Sequence, residues 1–229
     1  FSYKFTGSWQ PDGYKLLNGD DYTMLLKEEL YNPKQNPDAT RFINEINYNK
    51  SWADYENWNN NTDWVDAVTQ FGQSHSYNVN LSGGGQKANF RISAGYDHQT
   101  GTIIKQSLNR FTTRLSLDYF VSDRIKFITT FAFTYTNNNK NYADLLGKAQ
   151  TLAPNMSIYR QDANGNNTND YFIMNATSGV RNPSSAELAD VYAIGNPVAI
   201  ANLAWSKDNT YRINPDFAVQ YDLLGTGEG

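Results

Sequence analysis

The sequence has no cysteine and only two histidines in 229 residues. That excludes disulfides, thiolate metal sites, a cysteine nucleophile and a zinc site built from three histidines. Charged residues are scarce at 18%, against roughly 25% in an average soluble domain. The formal charge of −4 argues against a general nucleic-acid binder, because phosphate contacts demand a basic surface. Mean hydropathy is −0.65, and no apolar run approaches the ~20 residues of a spanning helix. The GxSxG, HExxH, P-loop and GxGxxG signatures are missing, and nothing selects a catalytic pair among the 23 Asp and Glu residues. No cofactor is implied and no enzyme is expected. No signal peptide precedes Phe1, as expected of a mature or excised piece. What is abundant is aromatic residues, at 14%, and asparagine, with 29 copies.

Those residues are arranged with period two. His75, Tyr77, Val79 and Leu81 alternate with Ser and Asn. Ala88, Phe90, Ile92, Ala94 and Tyr96 alternate with Lys87, Asn89, Arg91, Ser93, Gly95 and Asp97. Phe111 to Tyr119 and Ile125 to Tyr135 repeat the pattern, and only His75, Thr113 and Thr129 on that face are not apolar. Such alternation specifies β-strands with one apolar face. Weaker runs at each end add two more, with Pro215 a blemish in the last because proline lacks a ladder donor. The reading is six strands, near 1–9, 73–83, 87–98, 109–121, 124–137 and 209–222.

The connections alternate in length. Gly83-Gly84-Gly85-Gln86 and Ser122-Asp123 are tight hairpin signals. The intervening links are Gln99 to Leu108 and two long segments, 10–72 and 138–208. All large loops therefore leave one end of the sheet. Within them, Asp20 or Asp21 is expected to cap a helix from Tyr22 to Leu30, Thr62 or Asp63 one from Trp64 to Phe71, and Asn196-Pro197 one from Val198 to Trp205. Asp162 to Asp170 has a calcium-loop composition but fails EF-hand spacing, since Ile173 stands where the acidic twelfth ligand belongs. A polar outer loop is the simpler reading, and no metal site is expected.

Two architectures produce this alternation. In a soluble sandwich the apolar face is the core; in an outer-membrane barrel it meets lipid. Three features favour the barrel. The strands are longer than the usual soluble mode of roughly 5–6 residues and match the roughly 9–11 of a tilted membrane strand. Turn lengths alternate as in bacterial barrels, and Tyr77, Tyr96, Tyr119 and Tyr135 sit toward strand ends where an aromatic girdle would lie. Six strands are fewer than the roughly eight needed for closure, so the barrel reading makes this chain a piece of something larger. The expected fold class is all-β: antiparallel up-and-down strands of a large transmembrane β-barrel, with long, partly helical extracellular loops. The alternative is a soluble, secreted β-sandwich that binds glycans without transport.

Short motifs carry a family resemblance over nearly the whole chain. Asn61-Thr62-Asp63-Trp64, Asn80-Leu81-Ser82-Gly83-Gly84, Phe90-Arg91-Ile92-Ser93-Ala94-Gly95-Tyr96, Thr100-Gly101-Thr102, Asn109-Arg110-Phe111-Thr112, Ser122-Asp123-Arg124-Ile125-Lys126-Phe127, Ala153-Pro154-Asn155-Met156 and Asn196-Pro197-Val198-Ala199 resemble the early barrel of SusC/RagA-type TonB-dependent transporters. The resemblance implies a bacterial outer-membrane barrel that imports oligosaccharides or peptides. It implies a SusD-like surface lipoprotein as lid, energy from TonB, and contact with outer-membrane lipid. No TonB box or plug domain is recognised in the sequence.

Candidate site residues are of two kinds. On the barrel reading Lys87, Arg91, Arg110, Arg114, Asp118, Arg124 and Lys126 face the lumen, with Lys4, Arg212, Asp97, Asp216 and Asp222. This wall, net positive in an acidic chain, is expected to dock the plug or to attract anionic solutes. In the first loop Trp52, Tyr55, Trp58 and Trp64 lie among Asn and Asp. Flat rings beside amides suit sugar stacking, a protein interface or a self-packed loop. Residues 10–72 carry 11 acids and 5 bases, so this loop is expected to face water.

Overall fold

A strand forms at each expected place. The computed structural model of the chain describes residues 1–31, 50, 54–173 and 195–223. Its strands are β1 (Ser2–Ser8), β2 (Gly72–Gly84), β3 (Ala88–Thr100), β4 (Ser107–Ser122), β5 (Ile125–Lys140), β6 (Tyr159–Gln161), β7 (Asn167–Tyr171) and β8 (Ser206–Tyr221). Its α-helices are α1 (Gly19–Tyr31), α2 (Trp64–Val68), α3 (Leu145–Thr151) and α4 (Pro197–Leu203). The chain divides into two compact units.

The first unit comprises Phe1–Trp9, Phe71–Lys140 and Ser206–Gly229. It is one six-stranded antiparallel sheet in the order β1-β2-β3-β4-β5-β8. β2 and β3 join through three residues, closed by Gly85 N–H donating to the Ala88 carbonyl at 2.8 Å. β4 and β5 join through two, and a bulge between Phe120 and Ser122 absorbs the tight turn. The third connection is shorter than the sequence suggests. Both flanking strands extend inward, leaving residues 101–106 as a turn closed by Gly101 N–H on the Gln106 carbonyl at 3.0 Å, with Lys105 at φ 65°. Pro215 does not end β8; it pairs opposite Phe131 in the strand at the sheet's described edge, where a missing donor is tolerated.

A sandwich would cover the apolar face with a second sheet. Leu81, Ile92, Leu115, Phe131, Ile213 and Phe217 are instead exposed, and the other sheet among the described residues is the two-stranded β6-β7 ribbon. Exposure of so many large apolar groups on one continuous face is what a lipid-facing wall requires and what a soluble domain avoids. This all-β sheet is not closed within the segment.

The second unit comprises Gln10–Gln70 and Asn141–Trp205, so the two long connections fold together as one body. Helices α2, α3 and α4 pack on one another over Trp64, Val68, Leu145, Ala149, Leu152, Met156, Phe172 and Val198. Each helix starts where a side chain satisfies its free N–H groups. Asp63 accepts from Asp66 N–H, Asp144 from Gly147 N–H, and Asn196 from Val198 and Ala199 N–H. The first helix departs from expectation, since Asn18, and not Asp20 or Asp21, accepts from Asp21 N–H at 2.8 Å. α2 is also shorter than expected, because Phe71 already belongs to the sheet unit.

Candidate functional site

Residues paired across an antiparallel ladder share a face, so the register gives the geometry of each face. Tyr3 pairs with Tyr77, Tyr77 with Tyr96, Tyr96 with Phe111, Phe111 with Tyr135 and Tyr135 with Tyr211. One aromatic row therefore crosses all six strands. Ring centroids lie 5.0 Å apart for Tyr3–Tyr77, 6.4 Å for Tyr77–Tyr96 and 4.8 Å for Tyr135–Tyr211. The row lies toward the end with the long connections. Apolar rows follow toward the hairpin end: Val79, Ala94, Phe133 and Ile213, then Leu81, Ile92, Leu115, Phe131 and Pro215, then Phe90, Leu117 and Phe217, then Ala88, Tyr119, Phe127 and Val219. The last row pairs Ile125 with Tyr221.

Between the rows of Tyr211 and Tyr221 the strand advances ten residues, or about 34 Å at ~3.4 Å per residue. Tilted by about 40°, this gives a band about 26 Å tall, against the ~25 Å apolar band of membrane barrels. Tyr119 thus belongs near the opposite border from Tyr77, Tyr96 and Tyr135. Sequence reading grouped these four and missed Tyr3, Phe111 and Tyr211, because membership of a row depends on register between strands.

The polar face carries the charges that the alternation assigned to it. Arg110 opposes Asp97, whose carboxylate accepts from Ser76 Oγ at 2.5 Å. Lys126 forms an ion pair with Asp118 at 2.9 Å and lies 5.4 Å from the Phe120 ring. Arg91 opposes Ser82 and Ser116, and Arg114 opposes Ser93 and Ala132, so the two arginines are diagonal neighbours with no ion pair among the described residues. Lys87 and Arg124 flank the hairpin turns, where their carbonyls accept from Phe120 and Asp222 N–H.

The aromatic candidates of the first loop part company. Trp52 lies outside the described residues. Tyr55 is half-buried. Trp58 and Trp64 are each only 3% exposed. Trp58 meets Phe172 edge-on at 5.8 Å, and Trp64 Nε1 donates to the Ala153 carbonyl at 3.0 Å. Burial removes both ring faces from any ligand, which leaves the self-packed loop of the three readings.

Polar side chains hold the two loop segments together, and sequence reasoning missed this role. Asn60 and Thr62 N–H donate to the Asn155 and Pro154 carbonyls at 3.1 and 2.7 Å, and Thr62 Oγ1 donates to the Met156 carbonyl at 2.7 Å. Buried Asn57 accepts from Gln161 N–H at 2.7 Å. Asn60 and Gln161 exchange reciprocal amide bonds at 3.2 and 2.9 Å. Buried Asn196 caps α4 and donates to the Ile158 and Phe172 carbonyls at 2.8 and 3.0 Å. Two of the recognised motifs, Asn61-Thr62-Asp63-Trp64 and Ala153-Pro154-Asn155-Met156, thus meet each other.

The Asp162 loop is the turn of the β6-β7 ribbon. Its carboxylate accepts from Asn166 and Asn164 N–H, both at 2.9 Å, with Gly165 at φ +79°. These two backbone bonds hold the carboxyl below its usual value of 3.8. The ionised form is the one that stabilises the turn. That stabilisation is complete above pH 3.8 and is lost as pH falls through the lower folded value. Exchange protection of the Asn164 and Asn166 amides should therefore collapse only in strong acid, and Asp162→Ala should abolish protection at every pH. Among the described residues no group of three or more acidic, His or Cys side chains is placed to hold a metal.

No family model matches the chain. It is 28% identical over 155 residues to the TonB-dependent receptor SusC of Bacteroides thetaiotaomicron, a match that covers 66% of this chain and 15% of that protein. It is 26% identical over 174 residues to the TonB-dependent receptor P3 of Formosa agariphila, covering 72% of this chain and 15% of that protein. The chain thus spans a small part of the length of these relatives. The solved RagAB peptide transporter superposes over 97% of this chain and 26% of its own, with a TM-score of 0.58 and 15% identity, a likeness of fold.

Proposed function

We propose that this chain, a segment of the β-barrel of a SusC/RagA-type TonB-dependent outer-membrane transporter, forms part of the wall and outer loops of an importer of oligosaccharides or peptides. A single observation carries the membrane placement. The apolar face is exposed, bounded by a six-strand aromatic row, and as tall as the hydrocarbon band. Relatives named as TonB-dependent receptors support uptake driven through TonB. A SusD-like lipoprotein is the partner expected above the loop body. Deleting the gene in the source bacterium should abolish growth on one class of oligosaccharide or peptide, and depleting TonB should have the same effect. Undiminished growth on every such substrate, with the protein recovered from a soluble fraction, would sink the proposal.

On this reading the polar face is the lumen wall. Arg91 and Arg114 point toward the plug and supply the charge that docks its acidic groups, with Lys4 and Arg212 elsewhere on the same face. Reversing both, Arg91→Glu with Arg114→Glu, should leave the full-length protein in the outer membrane but loosen the plug. The readout is sensitivity of cells to antibiotics too large for ordinary porins, which should rise. Unchanged sensitivity at equal protein level would show that these charges do not hold the plug.

A further inference from the structure

Both histidines of this segment stand side by side on the sheet. His75 on β2 is the register partner of His98 on β3, one step beyond the aromatic row toward the long connections. Their rings are half-buried and lie 6.5 Å apart at 26°. On the β4 side His98 Nδ1 is 2.6 Å from Asn109 Oδ1, which also accepts from Tyr96 Oη at 3.1 Å. A carbonyl oxygen only accepts, so Nδ1 carries the proton and the neutral ring keeps its lone pair on Nε2. That nitrogen has no partner among the described residues. On the β1 side His75 Nδ1 is 2.9 Å from Tyr3 Oη, a group that both donates and accepts. His75 Nε2 lies 3.4 Å from the amide oxygen of Gln73, well beyond the mode of about 2.9–3.0 Å for an N–H···O bond.

We propose that His75 Nε2, His98 Nε2 and Gln73 Oε1 bind a divalent transition-metal ion, copper(II) most tightly. Ligand bonds of ~2.0–2.1 Å at a tetrahedral angle set two donors ~3.4 Å apart. That is the separation of Gln73 Oε1 from His75 Nε2. By the same bond length, two imidazoles on one ion have centroids ~5–6.5 Å apart. The observed pair stands at the upper end of that range, so a small side-chain rotation closes it. A metal-bound histidine donates its other ring N–H to a fixed acceptor. Asn109 already accepts from His98, and Tyr3 accepts from His75 once its hydroxyl turns. The bonds that occupy the Nδ1 sides thus orient both rings for an ion on the Nε2 sides. No Lys or Arg stands in the row of Phe5, His75, His98, Asn109, Asn137 and Asn209 to repel a cation. Imidazoles with a neutral amide oxygen, and no carboxylate, favour copper(II), then nickel(II) or zinc(II), over magnesium or calcium. The ion would tie β2 to β3. The site stands on β1 to β4 alone and does not depend on the transport reading.

The test uses the full-length protein in detergent, stripped of metal with a chelator and then given copper(II) alone. Ascorbate and peroxide oxidise the side chains that hold the copper, and mass spectrometry maps them. Wild type should be oxidised at His75 and His98, and a large excess of zinc(II) should suppress both marks. Calorimetry should show one copper more per chain in wild type than in His75→Gln with His98→Gln. Asn109→Ala should weaken that site about tenfold, the loss expected when the outer partner of a metal-bound histidine is removed. Asn109→Asp keeps the acceptor oxygen and should restore the affinity, which separates a positioning role for Asn109 from a merely structural one. Equal copper stoichiometry in wild type and the double variant, or oxidation that spares His75 and His98, would overturn the site. The oxidation map reads wild type alone, so it decides the question even where the double variant fails to assemble.

Discussion

Leu115→Arg in the full-length protein should sharply reduce its accumulation in the outer membrane. Leu115 sits on the central strand β4, in the third of six outward rows, opposite Ile92 and Phe131. That is near the midplane of the proposed band. An arginine there costs about 2–4 kcal/mol in membrane barrels, a shift of roughly one to three orders of magnitude in the folding equilibrium. Three residues away, Thr112→Arg places the same side chain on the opposite face, between Gly95 and Thr134. It should leave assembly within about 0.5 kcal/mol of wild type. Quantitative blotting of outer-membrane fractions, with urea unfolding in detergent, measures both. Equal tolerance of the two would mean that the apolar face does not meet lipid.

The second large effect concerns the loop body. Asn196→Ala should destabilise it by about 3–5 kcal/mol. The side chain is buried and makes four bonds: two accepted from the first turn of α4, and two donated to the Ile158 and Phe172 carbonyls. Loss of the cap alone costs about 0.5–2 kcal/mol, and each orphaned buried carbonyl adds about 1–3 kcal/mol. Part is recovered if water enters. Asn202→Ala removes an intrahelical bond to the Val198 carbonyl at 2.8 Å and a side-chain hydrogen bond with Tyr171, orphans no buried carbonyl pair, and should cost only about 1–2 kcal/mol. Hydrogen exchange on the full-length protein should show protection lost over residues 154–161 and 196–203 in the first variant only.

These two predictions divide along the line between what the sequence displays and what it hides. All six sheet strands are legible to within three residues at either end, because period two is a local signal that each strand carries by itself. The caps at Asp63 and Asn196 are legible for the same reason, as a polar residue set just before an apolar run. Asp144 before Leu145-Leu146 carries that signal as well, over a helix of only seven residues. The β6-β7 ribbon gives little notice, since its strands are three and five residues long. Nothing local says that Asn57 and Asn60 will meet Ser157 and Gln161, about a hundred residues on. Burial of Trp58 and Trp64 was hidden by composition: tryptophan among amides describes a sugar platform and a hydrogen-bonded core equally well. The family motifs were visible as letters, yet their task of joining two loop segments appears only in three dimensions.

The central claim is that one face of this sheet meets lipid and the other meets water. Cysteine scanning along β4 tests it most directly, since this segment has no cysteine of its own. Each position from Leu108 to Val121 would be replaced singly in the full-length protein in intact outer membranes. Two labels would be applied, a charged maleimide in water and an apolar photoreactive thiol reagent in the bilayer. The account predicts strict alternation: aqueous labelling at Thr112, Arg114 and Ser116, and bilayer labelling at Phe111, Leu115 and Leu117. Aqueous labelling at both sets, or no bilayer labelling at Phe111, Leu115 and Leu117, would contradict it.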